Sequence, residues 1–319
     1  MNKPVFKTDE NMAGVFYGFF AFVLWGLLPL YWKLLKAVPA IEILAHRVFW
    51  SFVVVALAVI LTGGWKKFSA SFTDKKKLIL IFSCGFIISL NWYTYIYAVN
   101  NGFVIEASMG YYINPLVVVL LGVTVFRERL GRWQLTALIL ATTGVMLITL
   151  QYGRIPWIAL LLAGTFAAYG LIKKIIKLDP VSGLVLETLI VMPVALFYIV
   201  TLERSGSGAL GSLPLHTSVI LAGTGVVTAI PLLFYARGIE KTTFSMMGFL
   251  QYIAPTINLL LGIFVFREYF STTHLISFCF IWAALIIFTF ANIGVLNDPC
   301  FMQKDLVETP LQAMDKHRG

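Results

Sequence analysis

The sequence predicts an all-α membrane protein with ten transmembrane helices in two inverted-topology five-helix repeats. The composition is the first observation: 59% of the residues are hydrophobic and 12% are charged, whereas soluble domains average about 25% charged residues. The second is an internal repeat: LLGVTVFRERL at 120–130 returns as LLGIFVFREYF at 260–270, with seven of eleven letters identical. The third is the distribution of Lys and Arg between the apolar stretches, which sets the orientation of each predicted span.

Ten apolar stretches are long enough to cross a bilayer, because a span needs about 20 residues. Breaks between them carry turn signals such as Val38-Pro39, Gly63-Gly64 and Asp179-Pro180. The predicted spans are 13–33, 41–62, 77–98, 103–125, 132–150, 155–174, 181–202, 216–236, 243–266 and 272–294.

The basic residues predict that both termini lie in the cytoplasm. With the N-terminus inside, 18 Lys and Arg residues fall in inside segments and 5 fall outside, while Arg47 lies within a span. Cytoplasmic loops are enriched in Lys and Arg, so this bias decides the orientation. The expected location is the plasma membrane, as a multi-pass protein.

Five spans per half make the second half enter the membrane from the opposite side. The predicted organisation is a cytoplasmic segment at 1–12, repeats at 13–150 and 151–296, and a disordered cytoplasmic tail at 297–319. Inverted repeats can exchange conformations, which is the structural basis of alternating access in transporters. The pattern therefore predicts a transporter.

Four stretches resemble one family of carriers. They are WGLLPLYWKLLKAVPAIEILAHRVFWSF at 25–52, NWYTYIYAVNNGFVIEASMGYYINPLVVVLLG at 91–122, GFLQYIAPTINLLLG at 248–262 and FIWAALIIF at 280–288. The chain resembles the RarD (chloramphenicol-sensitive protein) group of EamA-type carriers in the drug/metabolite transporter superfamily. That resemblance implies a ten-helix basket with a central cavity, cytoplasmic termini, and efflux or exchange of small metabolites or drugs. Chloramphenicol sensitivity in the family name need not identify the physiological substrate.

Charged residues inside a span need a reason, because insertion scales place their cost at about 2.5–3.5 kcal/mol each. Glu42 and His46 are four residues apart and share a helix face, while Arg47 points about 100° further round. One interpretation is a polar gate or a site for a substrate anion. The other is an interfacial cluster near the outer surface, which suits Glu42 and His46 better than the deeper Arg47.

Two further carboxylates lie within spans. Glu106 is about one turn into the fourth span, where the helix macrodipole stabilises a negative charge. It is alternatively a proton or cation site at the cavity mouth, paired with Arg47. Glu187 matches His46 when the two halves are aligned, and it is interpreted either as a group that takes up a proton during transport or as a buried structural acid.

The stretch YYINP at 111–115 reappears in changed form as QYIAP at 251–255. A mid-span proline removes a hydrogen bond and kinks the helix, so freed carbonyls beside Asn or Gln could form a midplane substrate site. Ordinary kinked packing, with Asn114 bonded between helices, is the alternative. The cavity candidates are Trp25, Arg47, Asn91, Trp92, Tyr95, Glu106, Tyr111, Tyr112, Asn114, Glu187, Gln251 and Tyr252. The hinge candidates are Pro115, Gly122, Pro255 and Gly262.

No enzyme, cofactor or metal signature is present in the sequence. The three cysteines and four histidines lack ligand spacing, and no Walker A, HExxH or GxSxG motif occurs. The expected partners are a small-molecule substrate and the lipid bilayer, without nucleic acid; proton or ion coupling and a homodimer stay open. A membrane-embedded lipid-modifying enzyme and a channel are the alternative functions. The first would need acids or histidines clustered at one membrane face, and an open channel would not need inverted halves.

Overall fold

The computed structural model describes residues 8–64, 68–69, 75–101, 103–153, 155–176, 179–266 and 272–292. Their regular structure is helical. The helices are α1 (Thr8–Leu34), α2 (Ala40–Leu61), α3 (Lys75–Asn100), α4 (Val104–Thr124), α5 (Arg132–Tyr152), α6 (Trp157–Ile176), α7 (Pro180–Arg204), α8 (Leu215–Lys241), α9a (Phe244–Leu250), α9b (Ile253–Leu261) and α10 (Thr272–Asn292). A single helical turn, Ala209–Ser212, lies between α7 and α8.

Each predicted span corresponds to one of these helices, or to α9a and α9b together, so the prediction of an all-α membrane protein is confirmed. Within the described residues, nine segments are long and apolar enough to cross a membrane, and the apolar part of α10, Leu275–Ala291, is shorter. The outer surface carries large apolar side chains, including Leu150, Phe197 and Leu215, which are 75%, 74% and 81% exposed. Such a surface suits lipid, which does not penalise exposed hydrocarbon.

α1 begins at Thr8, five residues before the predicted start of the first span. The apolar pattern marks only the membrane crossing, whereas the helix continues beyond it. The tail predicted at 297–319 and the second copy of the Phe-Arg-Glu motif at Arg267 and Glu268 lie outside the described residues.

The ninth span is broken where the sequence predicted a continuous helix with a kink. α9a ends at Leu250 and α9b begins at Ile253, and a π-helical segment, Gly262–Phe266, follows α9b. Pro255 has no N–H for the carbonyl of Gln251, and its ring would clash there, so the helix breaks at Gln251 and Tyr252. α4 instead runs through Pro115 as one helix.

Helices from the two halves of the chain pack against each other throughout the molecule. α1 packs on α8, α2 on α7 and α8, α5 on α10, and α4 on α6 and α9a, while α9b packs on α1. Glycines permit the closest of these contacts, as membrane helices commonly require. A Cβ at Gly225 of α8 would lie 2.4 Å from the backbone carbon of Trp50 in α2. Neither half therefore has a core of its own.

Candidate functional site

An arginine on α2 lies at the centre of the candidate site. Arg47 is half-buried, about 10 Å along α2 from its start at a rise of 1.5 Å per residue. Its Nε donates to Thr228 Oγ1 of α8 at 3.2 Å. The guanidinium carbon lies 4.8 Å from the ring centroid of Trp32 and 5.6 Å from that of Trp92. Cation–π attraction to both indoles holds the guanidinium in place.

Two tyrosines complete the site from α3 and α4. The Tyr95 and Tyr111 rings pack edge to face with centroids 6.3 Å apart, and both residues lie near Arg47. Tyr111 is 48% exposed and Tyr95 is 39% exposed, although they lie opposite Arg47 in the interior of the helix bundle. Part of each tyrosine side chain is therefore left uncovered by other residues. We call Arg47, Trp32, Trp92, Tyr95, Tyr111 and Thr228 the Arg47 site.

Glu187 lies next to the Arg47 site and forms a buried ion pair. Its Oε1 is 2.7 Å from Lys173 Nζ, and its Oε2 accepts a hydrogen bond from the Tyr169 hydroxyl at 3.0 Å. One small cavity is lined by Glu187 together with Trp92. A second is lined by Glu187, Lys173 and Glu240. Glu187 thus separates the Arg47 site from the end of α8 that carries Glu240.

A second cluster joins the helix ends on the side of the membrane where α1 begins, which we call the amino-terminal face. Glu128 accepts hydrogen bonds from the backbone N–H groups of Phe244 at 2.6 Å and Ser245 at 2.8 Å. These are the free donors at the start of α9a, and a carboxylate is the group that helix N-termini favour. A Cβ at Gly122 would lie 2.6 Å from Ser245 Oγ and 2.7 Å from Glu128 Oε2, so a larger residue there would displace these two side chains.

Lys174 binds the carboxyl-terminal end of α8, the helix before α9a, at the same face. Its Nζ donates to the carbonyls of Ile239 at 3.1 Å and Thr242 at 2.5 Å, at the end of α8. The Phe126 ring lies under the same ammonium at 5.5 Å and contacts the Phe244 ring edge-on at 5.4 Å. We call Glu128, Lys174, Phe126 and the α8–α9a turn the amino-terminal latch, because they join α4 and α6 to α8 and α9a.

Glu106, the other carboxylate considered within a span, is bonded to two neighbouring helices. Glu106 is 1% exposed, and it accepts hydrogen bonds from the Tyr152 hydroxyl at 2.9 Å and from Ile158 N at 2.8 Å. The structure therefore gives it partners on α5 and α6, whereas one of the two sequence interpretations had paired it with Arg47. Glu42 likewise accepts a hydrogen bond from a backbone N–H group of a distant helix, Ala209 N, at 2.6 Å. His46 is buried 4.0 Å from Glu42, and neither ring nitrogen has a hydrogen-bond partner in the described residues.

The amide candidates bond between helices. Asn91 donates to the Leu162 carbonyl at 2.9 Å and Asn114 to the Ala163 carbonyl at 2.7 Å, so both attach to the same turn of α6. This matches the alternative in which Asn114 connects helices.

The remaining aromatic and polar candidates pack away from Arg47. Trp25 lies 5.5 Å from the Tyr235 ring in a separate aromatic group. Tyr112 contacts Phe278 of α10, and Tyr252 packs among residues of α4, α5, α9a and α10. Gln251 is buried, and no partner for its Nε2 occurs in the described part of the chain.

The structure thus brings together four of the twelve cavity candidates, Arg47, Trp92, Tyr95 and Tyr111, with Glu187 beside them. Sequence reasoning missed Trp32, Thr228 and Lys173. Thr224 and Thr228 repeat at helical spacing on α8 and are both buried, and this periodicity was a usable signal. Trp32 and Lys173 offered none, because only the fold pairs them with Arg47 and Glu187.

Comparison with known proteins places the chain among transporters. A profile of the EamA-like transporter family matches residues 12–150. The chain is 46% identical over 290 residues to the uncharacterized transporter YojE of Bacillus subtilis, covering 89% of this chain and 96% of the relative. It is 42% identical to protein RarD of Streptomyces exfoliatus, covering 88% and 89%. A solved crystal structure matches with a TM-score of 0.68 and 19% identity, covering 88% of this chain and 99% of that one, which supports the fold.

Proposed function

This chain belongs to the RarD group of the EamA-like transporter family, and from that membership we propose that it is a secondary carrier. It moves small organic molecules across the plasma membrane by alternating access, in the direction of export or exchange. The observation that carries the proposal is the Arg47 site, a polar and aromatic surface inside the bundle, built on α1, α2, α3, α4 and α8 from both halves. Small-molecule sites commonly combine aromatic walls with a few placed polar groups.

The packing supports two structurally related halves of opposite orientation. If α1 to α5 correspond to α6 to α10, the contact of α1 with α8 corresponds to that of α6 with α3, and both occur. The contact of α4 with α6 corresponds in the same way to that of α9a and α9b with α1. The pairs α2 with α7, α5 with α10 and α4 with α9a correspond to themselves. A pseudo-two-fold axis in the membrane plane would produce this arrangement.

One state of an alternating-access cycle is consistent with the latch. α4 and α9a are joined at the amino-terminal face by Glu128, while α9b turns away toward α1. The continuous α4 and the broken α9 are the two conformations that related halves would exchange. We assign the amino-terminal face to the cytoplasm from the distribution of Lys and Arg. In this state the carrier is closed to the cytoplasm, and the Arg47 site is reached from outside.

We place ion coupling at Glu187. A carboxylate between two cavities can be paired with Lys173 in one state and protonated in another, which links proton movement to the conformational change. Glu187→Gln should keep exchange of substrate between the two sides and lose accumulation driven by a pH gradient. Equal loss of both activities would remove Glu187 from the coupling role.

The carrier is tested by transport into proteoliposomes that contain the purified protein. Vesicles loaded with a metabolite extract should exchange labelled compounds, and an imposed pH gradient should accumulate the cargo above its outside concentration. A channel would only equilibrate the compound, and an enzyme would convert it. Vesicles with the protein that show no faster movement of any compound than empty vesicles would refute the proposal.

The orientation is tested separately with reporter fusions. A fusion after Lys304 should behave as cytoplasmic and a fusion after Ser207 as external. A reporter that is active outside the cell at Lys304 would mean an odd number of spans, and the inverted halves would be excluded.

A further inference from the structure

The charge balance of the Arg47 site is unusual for a group inside a membrane. The guanidinium uses its Nε on Thr228, and neither terminal nitrogen has a hydrogen-bond acceptor or carboxylate partner in the part of the chain that the structure describes. A cation inside a span is costly and is normally paired or solvated within the protein. Two indole faces partly stabilise it. They leave its planar, bidentate donor edge available to a ligand.

The carboxylates of the neighbouring spans are, by contrast, already engaged. Glu42 accepts from Ala209 N, Glu106 accepts from Tyr152 and Ile158, and Glu187 pairs with Lys173 and Tyr169. A positively charged ligand group would be repelled by Arg47. It would find no compensating charge in these three carboxylates, because each already has partners. A negative group would meet an Arg fork, whose geometry matches a carboxylate with two parallel hydrogen bonds.

The walls of the site define the rest of the ligand. The centroids of the Trp32 and Trp92 rings lie 4.8 and 5.6 Å from the guanidinium carbon, so a flat or apolar body attached to the anion would lie along indole surface. The Tyr95 and Tyr111 side chains lie near the same guanidinium. Their hydroxyl groups can donate to oxygen atoms of the bound anion.

We propose that Arg47 binds the carboxylate of the transported molecule, and that the substrates are organic monocarboxylates with a flat or apolar body. The inference rests on the proposed carrier function and adds the chemical class of its cargo. A phosphate monoester could use the same guanidinium, but it carries a second negative charge, and the site offers one cation. The carboxylate is therefore the better match.

The test is a binding panel on the purified full-length protein. Monocarboxylates with aryl and alkyl bodies are compared with their own primary amides by the shift in Tm, with phenylacetate and phenylacetamide as one pair. 2-Phenylethylamine and phenyl phosphate report on positive and phosphate groups. We expect carboxylates to raise Tm, with amides binding about 10- to 100-fold more weakly, the size of losing hydrogen bonds to a charged group.

Variants assign the effect to the site. Arg47→Gln should abolish the carboxylate preference and Arg47→Lys should retain part of it, because the charge stays and the fork is lost. Arg237→Gln is the matched control, since Arg237 also lies over an aromatic ring, that of Tyr17 at 6.0 Å, but is exposed on α8. If Arg47→Gln does not fold, the carboxylate and amide pairs on the unaltered protein still decide.

Several outcomes would overturn the carboxylate assignment. They are equal binding of the amides, stronger binding of the amine or of phenyl phosphate, absence of binding by every carboxylate in the panel, and a carboxylate preference that survives in Arg47→Gln. Exchange in proteoliposomes tests the carboxylate assignment separately from the proposed carrier function. Exchange of neutral or cationic compounds by both the unaltered protein and Arg47→Gln would refute the cargo class and leave a carrier. Carboxylate binding without exchange of any compound would refute the carrier and leave the site.

Discussion

Replacing Glu128, the glutamate of the Phe-Arg-Glu motif at 126–128, should open the amino-terminal latch. Glu128→Gln keeps the size of the side chain, but it removes the charge and one of the two acceptor oxygens that bind Phe244 N and Ser245 N. Hydrogen bonds to a charged group contribute about 1.5–3 kcal/mol each. Glu128 is half-buried, so we take a loss of about 2 kcal/mol, near the lower end of that range for one bond. This corresponds to a shift of about 30-fold toward the state that is open at this face.

The assay measures access to a buried cysteine at the α4–α9a contact. Val119 is 1% exposed, and its side chain lies 2.9 Å from the position of a Cβ built on Gly248. Val119→Cys, in a chain whose three native cysteines are replaced by serine or alanine, should react slowly with a membrane-impermeant maleimide. Adding Glu128→Gln should raise the labelling rate about 30-fold, since labelling follows the open population.

Glu203 supplies the matched control. Its carboxylate accepts hydrogen bonds from Leu210 N at 2.9 Å and Gly211 N at 3.0 Å. Glu203 thus binds two backbone N–H groups, as Glu128 does, but at the opposite end of the molecule. Glu203→Gln should leave labelling of Val119→Cys unchanged. Unchanged labelling in Glu128→Gln, or an equal increase in both variants, would refute the latch.

Three further results are expected. Lys173→Met leaves the Glu187 carboxylate buried without its cation and should lower the free energy of unfolding by about 3–5 kcal/mol. The double variant Lys173→Met with Glu187→Gln should recover most of the lost Tm. If it does not, the two side chains are not coupled. Gly225→Ala should lower Tm because its Cβ would strike the α2 backbone, whereas Gly164→Ala, where a Cβ meets nothing within 4 Å, should not; equal Tm values would show that α2 and α8 separate easily. Glu106→Gln should lower Tm, because hydrogen bonds from α5 and α6 to a charged group contribute about 1.5–3 kcal/mol. It should leave the pH dependence of transport unchanged. A changed pH profile at normal stability would return Glu106 to the coupling role.

The sequence was sufficient for the helices because hydropathy and length report directly on lipid as the solvent. It was insufficient for the division of the ninth span. Pro115 and Pro255 occupy corresponding positions, yet only the second interrupts its helix. Local sequence gives both the same tendency to kink, and the packing around each helix decides the outcome. The gating roles of Pro115, Gly122, Pro255 and Gly262 stay predictions.

Part of the candidate site followed from the rule that charges within spans need partners. That rule singled out Arg47 and Glu187 as residues to examine. It could not identify those partners, because Thr228 is 181 residues from Arg47 and Lys173 resembled an ordinary loop charge. The same distance in sequence hid the hydrogen-bond partners of Glu106. Its partners, Tyr152 and Ile158, are 46 and 52 residues further along.

The carboxylate contacts between distant helices also determine when the chain can finish folding during synthesis. Glu42 emerges from the ribosome 167 residues before Ala209, its partner. At about 5–20 residues per second, the interval is about 8–33 seconds. Glu128 waits for Phe244 over 116 residues. During these intervals the early helices must be held in the membrane with carboxylates that have no final donor. A chain stopped after α5 would expose such groups, and membrane quality-control proteases should remove it faster than the complete protein.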